Sequence, residues 1–227
     1  MTALADRPAA VDACSLYRFF RAGEEETLAL QGVSLCLEPG EFVAVVGPSG
    51  SGKSTLLACL AGTDEPDGGT VRIGGERLSH QPEPTRARLR ARRVGLLFQS
   101  GNLLPHLTLA QNVSLAQRLA RHAQRTAIES LLTSLGIAGR ARAYPSQLSG
   151  GELARGGLAV ALANDPVVLL ADEPTGELDL GTERAVLELL SARTRDGVAV
   201  IVASHSPAVA AAADRVVTLA DGRVVQS

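Results

Sequence analysis

The stretch Gly47-Pro48-Ser49-Gly50-Ser51-Gly52-Lys53-Ser54-Thr55 decides the fold of this chain. An apolar run, residues 42–46, precedes it, and a helix-forming run, residues 55–60, follows it. Strand, glycine-rich turn and helix in that order are the context of a phosphate-binding P-loop. Glycines let the backbone turn tightly and approach a ligand closely because they have no Cβ. Backbone N–H groups at a helix start favour an anion, so this stretch predicts a triphosphate site.

Two side chains of the P-loop carry the expected contacts to phosphate and metal. We expect Lys53 to reach the β- and γ-phosphates and Ser54 to place its hydroxyl on Mg²⁺. Lys53 is the only lysine in the chain, so a compact amine stands where a flexible point charge suits a phosphate. The alternative is a glycine-rich loop that binds nothing, and the intact spacing with both flanks argues against it.

Length and composition define the class of protein. The chain has 227 residues, of which 45% are hydrophobic and 20% charged, as in a globular protein with a substantial core. Its net charge of -2 gives no overall attraction to nucleic acid or anionic lipid. No apolar run approaches the ~20 residues needed to span a bilayer. Cys14, Cys36 and Cys59 fit neither a metal spacing nor a disulfide framework, and we expect buried free thiols.

The first part of the chain predicts a leader followed by antiparallel strands. Residues 1–12 have no basic region followed by an apolar one, and we expect a flexible leader there. Short β-type pieces between residues 28 and 37 end in a Pro-Gly turn and predict antiparallel strands beside the P-loop strand. Tyr17, Phe19 and Phe20 lie in this region. They allow two interpretations, a ring stacked on a nucleobase or a small hydrophobic core.

The middle of the chain predicts an inserted helical subdomain, over residues 100–160 approximately. Apolar residues recur there at three- and four-residue spacing, over 109–119 and 127–135. The basic run 86–93 fits a solvated helix face better than an RNA or lipid contact, because acidic residues elsewhere offset it. The fold class is therefore α/β. We expect one domain over 13–227, a P-loop NTPase core with a mostly parallel sheet, an antiparallel β subdomain and this helical insertion.

Polar side chains stand at the ends of three apolar runs that predict buried strands. Gln99, the pair Asp172-Glu173 and His205 follow the runs 94–98, 167–171 and 198–203. Ligands of α/β folds collect at the carboxyl ends of parallel strands. Neighbouring side chains on a strand point opposite ways, so Asp172 is expected on Mg²⁺ while Glu173 orients or deprotonates the attacking water. His205 is expected on the γ-phosphate, with an ordinary loop histidine as the alternative.

The segment Leu148-Ser149-Gly150-Gly151-Glu152 opens a further helix-forming run. Combined with the P-loop, it resembles the signature motif of the nucleotide-binding subunits of ATP-binding cassette (ABC) transporters, and the resemblance covers residues 14–225. The resemblance implies an ATPase that uses ATP and Mg²⁺ at the cytoplasmic face of the cell membrane. It implies two partners, a second copy or a homologous ABC subunit and an integral membrane permease, and no nucleic acid.

The resemblance also assigns roles to residues. Ser149 and Gly151 would bind the γ-phosphate held by the partner subunit, so that two chains sandwich two ATP molecules. Gln99 resembles the glutamine that senses Mg²⁺ and the permease, and Asp179 resembles the D-loop aspartate at the dimer interface. The catalytic set is Lys53, Gln99, Glu173 and His205, and the metal set is Ser54, Gln99 and Asp172. The nucleotide-binding set is Phe20, Gly47, Pro48, Ser49, Gly50, Ser51, Gly52, Lys53, Ser54, Thr55, Ser149, Gly150, Gly151 and Asp179.

Finer resemblance, over 47–53, 102–108 and 172–176, is to the group of lipoprotein-release (LolD), macrolide-export (MacB) and cell-division (FtsE) ATPases. That group implies export or mechanical transmission. Three features depart from the family pattern. Phe20 replaces the usual tyrosine, Val160 stands where an arginine is common, and two glycines stand within Leu153–Gly157, at ~1 kcal/mol each in a helix. The ATPase of an importer is the main alternative. A soluble cassette protein fits less well because such proteins usually carry extra segments. A P-loop kinase fits less well because kinases have no counterpart of the segment 148–152.

Overall fold

The computed structural model describes residues 8–22, 25–120 and 126–226. The strands are β1 Val11–Ala22, β2 Glu25–Leu37, β3 Phe42–Val46, β4 Gly68–Ile73, β5 Glu76–Arg77, β6 Val94–Phe98, β7 Val168–Asp172, β8 Ala199–Ala203, β9 Arg215–Ala220 and β10 Arg223–Gln226. The helices are α1 Lys53–Ala61, α2 Glu83–Arg93, α3 Leu109–Ala120, α4 Ile128–Ser134, α5 Gly150–Ala161, α6 Leu180–Arg195 and α7 Pro207–Ala212. Short 3₁₀ turns cover Ala138–Arg140 and Pro145–Gln147.

Within these residues, the larger sheet has six strands in the order β10-β9-β3-β8-β7-β6. The strands β9, β3, β8, β7 and β6 run parallel, and β10 closes the edge as an antiparallel hairpin with β9. Strands β3, β7 and β8 are nearly continuous apolar runs because helices or the second sheet cover both faces. The carboxyl ends of β3, β7 and β8 therefore meet at one edge, where the P-loop leaves β3.

Two apolar cores lie on opposite faces of the larger sheet. Val43 and Val45 belong to one core, which includes α1, β1, β2 and β4, whereas Phe42 and Ala44 belong to the other, which includes α3 to α6. This division follows from the two-residue side-chain period of a strand. The helical insertion expected between β6 and β7 is present, and α3 and α4 match their predicted spans to within one residue.

The antiparallel strands form a second sheet, in the order β2-β1-β4-β5 among the described residues. The expectation that they lie beside the P-loop strand is wrong, because β3 is already paired on both edges, with β8 and β9. The backbone N–H of Gln31 instead donates to the carbonyl of Gly222 over 2.7 Å, which ties β2 to the β9–β10 turn. The second sheet is thereby held next to the P-loop.

The expectation of a flexible leader over residues 1–12 is wrong for the last residues of that range. Ala10 and Val11 are fully buried, and the Ala10 N–H donates to the Leu37 carbonyl over 2.8 Å. Strand β1 begins at Val11 because pairing with β2 and β4 satisfies its backbone, which the sequence pattern alone does not reveal. Residues 1–7, the rest of that expected leader, lie outside the described residues.

The cysteines differ from one another in burial. Cys59 is buried, and burial raises the pKa of its thiol to about 12. Cys14 and Cys36 are exposed, so the expectation of buried thiols is wrong for these two. Both lie on strands of the second sheet with their side chains toward solvent. None of the helices in the described ranges is long and apolar enough to cross a membrane.

Candidate nucleotide-binding site

The P-loop leaves β3 and wraps over the start of α1. Gly52 immediately precedes the helix with φ +102, and Gly47 has φ +152, both in the region that favours glycine. A Cβ at Gly47 would collide with the carbonyl oxygen of Leu219, and one at Gly52 with that of Ala29. The N–H groups of the first turn of α1 lie in the bend of this loop, as an anion site requires.

Lys53 is the first residue of α1 and only 7% exposed. Its Nζ donates to the carbonyl oxygens of Gly47 and Pro48, over 2.9 and 3.0 Å. The same atom lies 3.5 Å from Nε2 of His205. The amine is thus held against the P-loop backbone, next to the end of β8.

A cleft of ≈ 450 Å³ opens beside the P-loop. Many of the expected nucleotide, metal and catalytic residues line it: Phe20, Ser49, Gly50, Gly52, Lys53, Ser54, Thr55, Asp172, Glu173 and His205. Three other P-loop residues are not part of this lining. Gly47 and Pro48 hold the Lys53 amine, and Ser51 is 2% exposed with a hydroxyl oxygen that has no hydrogen-bond partner.

The two adjacent carboxylates line the same cleft. The strand alternation from which opposite directions were predicted does not extend to Glu173, because this residue follows the last residue of β7 and has φ +46, outside strand geometry. Its backbone N–H donates to the carbonyl of Ala203, over 2.9 Å. The hydroxyl of Ser204 donates to Oε2 of Glu173 over 2.9 Å. The other oxygen, Oε1, is buried, has no hydrogen-bond partner and lies 3.6 Å from Nε2 of His205.

Phe20 lines the cleft with its ring 42% exposed. Tyr17 and Phe19 are also exposed, so the interpretation of these rings as a small hydrophobic core is wrong. The guanidinium of Arg18 lies 4.8 Å from the centroid of the Phe20 ring. Two hydrogen bonds of 2.8 Å to Asp64 hold it there, and they are the main reason the pKa of Arg18 is raised. Sequence reasoning missed Arg18, although the spacing of two along a strand favours a shared face.

Gln99 belongs to a neighbouring groove and is not among the residues of the Lys53 cleft. Its Nε2 donates to Oε1 of Glu177, over 3.2 Å. The groove has a volume of ≈ 310 Å³. Its apolar lining includes Phe98, which is 50% exposed, and Leu153 and Pro174.

Ser149 caps the N-terminus of α5 and is also outside the Lys53 cleft. Its hydroxyl accepts from the N–H of Glu152 over 3.3 Å, and its own N–H donates to Oε2 of Glu152 over 2.8 Å. This second bond, followed by the contact with Arg140, lowers the pKa of Glu152 to about 2. Gly150 and Gly151 form the first turn of α5. One chain therefore carries a second helix start that favours anions, apart from its own P-loop.

Asp179 caps α6 in the same way. Its carboxylate accepts from the N–H groups of Gly181 and Thr182 and, over 2.6 Å, from the hydroxyl of Thr182. The hydrogen bond from the Thr182 hydroxyl is the largest cause of the lowered pKa of Asp179. Asp179 also does not line the Lys53 cleft.

The glycine pair of α5 packs against the segment that follows Gln99. A Cβ at Gly157 would lie 2.8 Å from Cβ of Asn102, and one at Gly156 would lie 3.1 Å from Cδ1 of Leu103. The Asn102 side chain accepts from the N–H of Phe98 over 2.8 Å and donates to its carbonyl over 2.6 Å. The unusual glycines therefore allow a close approach between α5 and the residues around Gln99.

Comparison with known proteins agrees with these features. The profile of the family described as ABC transporter matches residues 30–176. An uncharacterized ABC transporter ATP-binding protein of Mycobacterium tuberculosis (strain H37Rv) is 44% identical over 210 residues, which cover 91% of this chain and 85% of that protein. The macrolide export ATP-binding/permease protein MacB of Rhodospirillum rubrum is 44% identical over 222 residues, covering 96% of this chain but 34% of MacB.

Solved structures show the same architecture. The dimeric ATP-binding cassette MJ0796, in a post-hydrolysis state bound to ADP and Pi, matches with a TM-score of 0.87 at 34% identity, over 95% of this chain and 97% of that one. The cassette MJ1267 in its ADP conformation shares the fold, with a TM-score of 0.80 at 19% identity over 96% of this chain and 90% of that one. The chain belongs to the ABC transporter family, as an ATP-binding ATPase cassette.

Proposed function

We propose that two copies of this chain, or one copy and a homologous cassette, bind two ATP molecules between them and drive a separate membrane permease. The observation that carries this proposal is the separation of two phosphate-binding features within one chain. The cleft beside Lys53 contains groups for phosphate and hydrolysis, whereas Ser149 stands at a different helix start outside it. A partner's α5 would complete the cleft with its own Ser149 and Gly151, and Asp179 would lie at the interface.

Hydrolysis would use the groups gathered at the strand ends. Oε1 of Glu173 has no hydrogen-bond partner, so we infer that this oxygen accepts a proton from the attacking water. As the water oxygen bonds to the γ-phosphorus, the bond from that phosphorus to the β–γ bridging oxygen breaks, and ADP and phosphate are released. Lys53 and His205 would stabilise negative charge on the γ-phosphate. Phe20 would stack on the adenine.

The cleft also fits a nucleotide-bound magnesium ion. Ser54 and Asp172 line it and offer a hydroxyl and a carboxylate, the hard oxygen ligands that Mg²⁺ prefers. When bound, Mg²⁺ neutralises charge on the β- and γ-phosphates. No group of three or more His, Cys, Asp or Glu suited to a metal occurs among the described residues. We propose Oε1 of Gln99 as a further ligand, which requires this side chain to turn from the neighbouring groove towards the Lys53 cleft.

The groove beside Gln99 supports the second half of the proposal, the contact with a permease. Phe98 exposes half of its ring there, and Leu153 is also exposed. An apolar groove with exposed aromatic and aliphatic side chains is typical of a protein-binding site. Binding there would place the cassette at the cytoplasmic face of the membrane. The likeness to the macrolide export ATP-binding/permease protein MacB favours export or mechanical transmission.

Mixing two inactive variants tests the composite site. Lys53→Ala disables the P-loop, and Ser149→Asp keeps a helix cap but places a carboxylate where a phosphate would bind. Each variant alone should lose ATP hydrolysis. Mixed in equal amounts, they should recover up to about a quarter of wild-type turnover, because half of the dimers then have one intact site. Ser149→Asn, a cap without the charge, is the matched control and should stay more active than Ser149→Asp. Absence of recovery would contradict sites built from two copies.

Affinity purification of the chain from its native membrane tests the permease partner. A co-purifying protein with few membrane helices and a large outer domain is the expected result. A permease with many helices and a solute-binding protein would instead identify the ATPase of an importer. Recovery of the chain with no membrane protein would overturn the proposed coupling and favour a soluble cassette.

A further inference from the structure

A buried network of hydrogen bonds lies behind the proposed catalytic base. Thr175, Glu183 and Ser204 are 3%, 8% and 1% exposed, and all three belong to it. A buried carboxylate is costly unless hydrogen bonds compensate it. The steps of hydrolysis described above do not use Glu183, so its burial calls for another explanation.

Glu183 joins two loops through a single oxygen atom. It lies in the first turn of α6, and its Oε1 accepts from the hydroxyl of Ser206 over 2.7 Å. The same Oε1 accepts from the hydroxyl of Thr175 over 3.1 Å. Thr175 lies in the loop that follows β7 and Ser206 in the loop that follows β8. Glu183 thus fixes the two loops that carry Glu173 and His205 relative to each other.

From Ser206 the network continues to Glu173. The backbone N–H of Ser206 donates to the hydroxyl oxygen of Ser204 over 3.1 Å. Because this oxygen accepts that bond, its own proton is available to Glu173, and it donates to Oε2 over 2.9 Å. One carboxylate oxygen of Glu173 is therefore occupied, which leaves Oε1 as the atom free to accept a proton from water.

We propose that Glu183 is a positioning residue for ATP hydrolysis, which acts through Ser206 and Ser204 to set the orientation of the Glu173 carboxylate. This inference rests on the proposed role of Glu173 as the base. Glu183 does not line the Lys53 cleft, so its loss should lower turnover without weakening the binding of ATP by the P-loop. Small displacements of a catalytic group can change rates strongly, because the reacting atoms must be aligned.

A set of four variants tests this role by steady-state hydrolysis of MgATP and by thermal unfolding. Glu183→Ala removes the shared acceptor and should lower kcat about tenfold, with the KM for ATP within about twofold of wild type. Glu183→Gln keeps an oxygen that can accept both bonds and should retain kcat within about threefold. Ser206→Ala removes the next link and should resemble Glu183→Ala. Glu188→Ala removes an exposed carboxylate from the same helix and should behave as wild type.

Three results would overturn the inference. The first is a wild-type kcat in Glu183→Ala despite a lowered melting temperature, and the second is a loss of kcat in Glu183→Gln equal to that in Glu183→Ala. If Glu183→Ala does not fold, a wild-type kcat in Ser206→Ala is the third. Glu173→Gln, measured in parallel, distinguishes a failure of the proposed role of Glu173 as the base from a failure of the proposed role of Glu183. If Glu173→Gln hydrolyses ATP normally, the proposed base is wrong. If only Glu173→Gln is inactive, the base stands and the role of Glu183 fails.

Discussion

At the scale of single residues, Arg18 supports the ring that is proposed to stack on adenine. Its guanidinium lies 4.8 Å from the Phe20 ring centroid and is not part of the cleft lining. Arg18→Ala should weaken ATP binding by about two- to fivefold, because an exposed cation–π contact contributes about 0.5–1 kcal/mol. Titration with a fluorescent ATP analogue measures the affinity, and Arg77→Ala on the exposed strand β5 is the control. An unchanged affinity would show that Phe20 is positioned without Arg18.

The residues of the cleft were predictable from the sequence to a large extent. Lys53, Asp172, Glu173 and His205 follow strand-forming runs, and the parallel topology brings them to one edge. The conformation of Glu173 was not predictable, because its positive φ arises where the chain leaves β7. Nor was the placement of Arg18, since its main anchor Asp64 is 46 residues away in the sequence. Pairings over such distances depend on the folded topology.

At the scale of elements, the glycine pair gives α5 its close contact with the segment after Gln99. Gly157→Ala should lower the melting temperature, because a Cβ there meets Asn102, whose side chain is held by two hydrogen bonds to Phe98. Gly156→Ala is the matched control on the same helix. Its Cβ meets the flexible ends of leucine side chains, so the gain of ~1 kcal/mol in helix propensity should offset most of the crowding.

Thermal unfolding followed by circular dichroism checks this difference between neighbouring positions. Equal melting temperatures for Gly156→Ala and Gly157→Ala would contradict the proposed importance of the contact with Asn102. A stabilised Gly157→Ala would mean that the surrounding residues relax more easily than the hydrogen bonds of Asn102 allow.

Elements with continuous apolar runs were predicted more accurately than those with mixed patterns. The predicted span of β6, residues 94–98, agrees with the structure. That of β7 is shifted by one residue at both ends, and that of β8 begins one residue early. Strand β1 was largely missed, because polar residues interrupt it and register shifts break its pairing with β2. Its stability comes from two neighbouring strands, and such cross-strand support is not visible in a local pattern.

At the scale of the whole molecule, one chain contains, in separate places, the two features that the proposed two-chain ATP site would combine. The P-loop cleft lies at the carboxyl end of the central strands, and the capped start of α5 belongs to the helical insertion. The single-chain sequence predicts both halves but not how far apart they lie, since this depends on the packing of the insertion against β6 and α6. The proposal predicts that this chain dimerises on ATP, and the structure of MJ0796 is that of a dimer.

Glu173→Gln provides the most direct test of this central claim. The substitution removes the proposed base while keeping a side chain of similar shape that can still bond Ser204, so bound ATP should persist. Light scattering coupled to size-exclusion chromatography, in saturating MgATP, should detect a dimer of Glu173→Gln and a monomer when nucleotide is omitted. A Glu173→Gln protein that binds ATP but stays monomeric would contradict the two-chain ATP site.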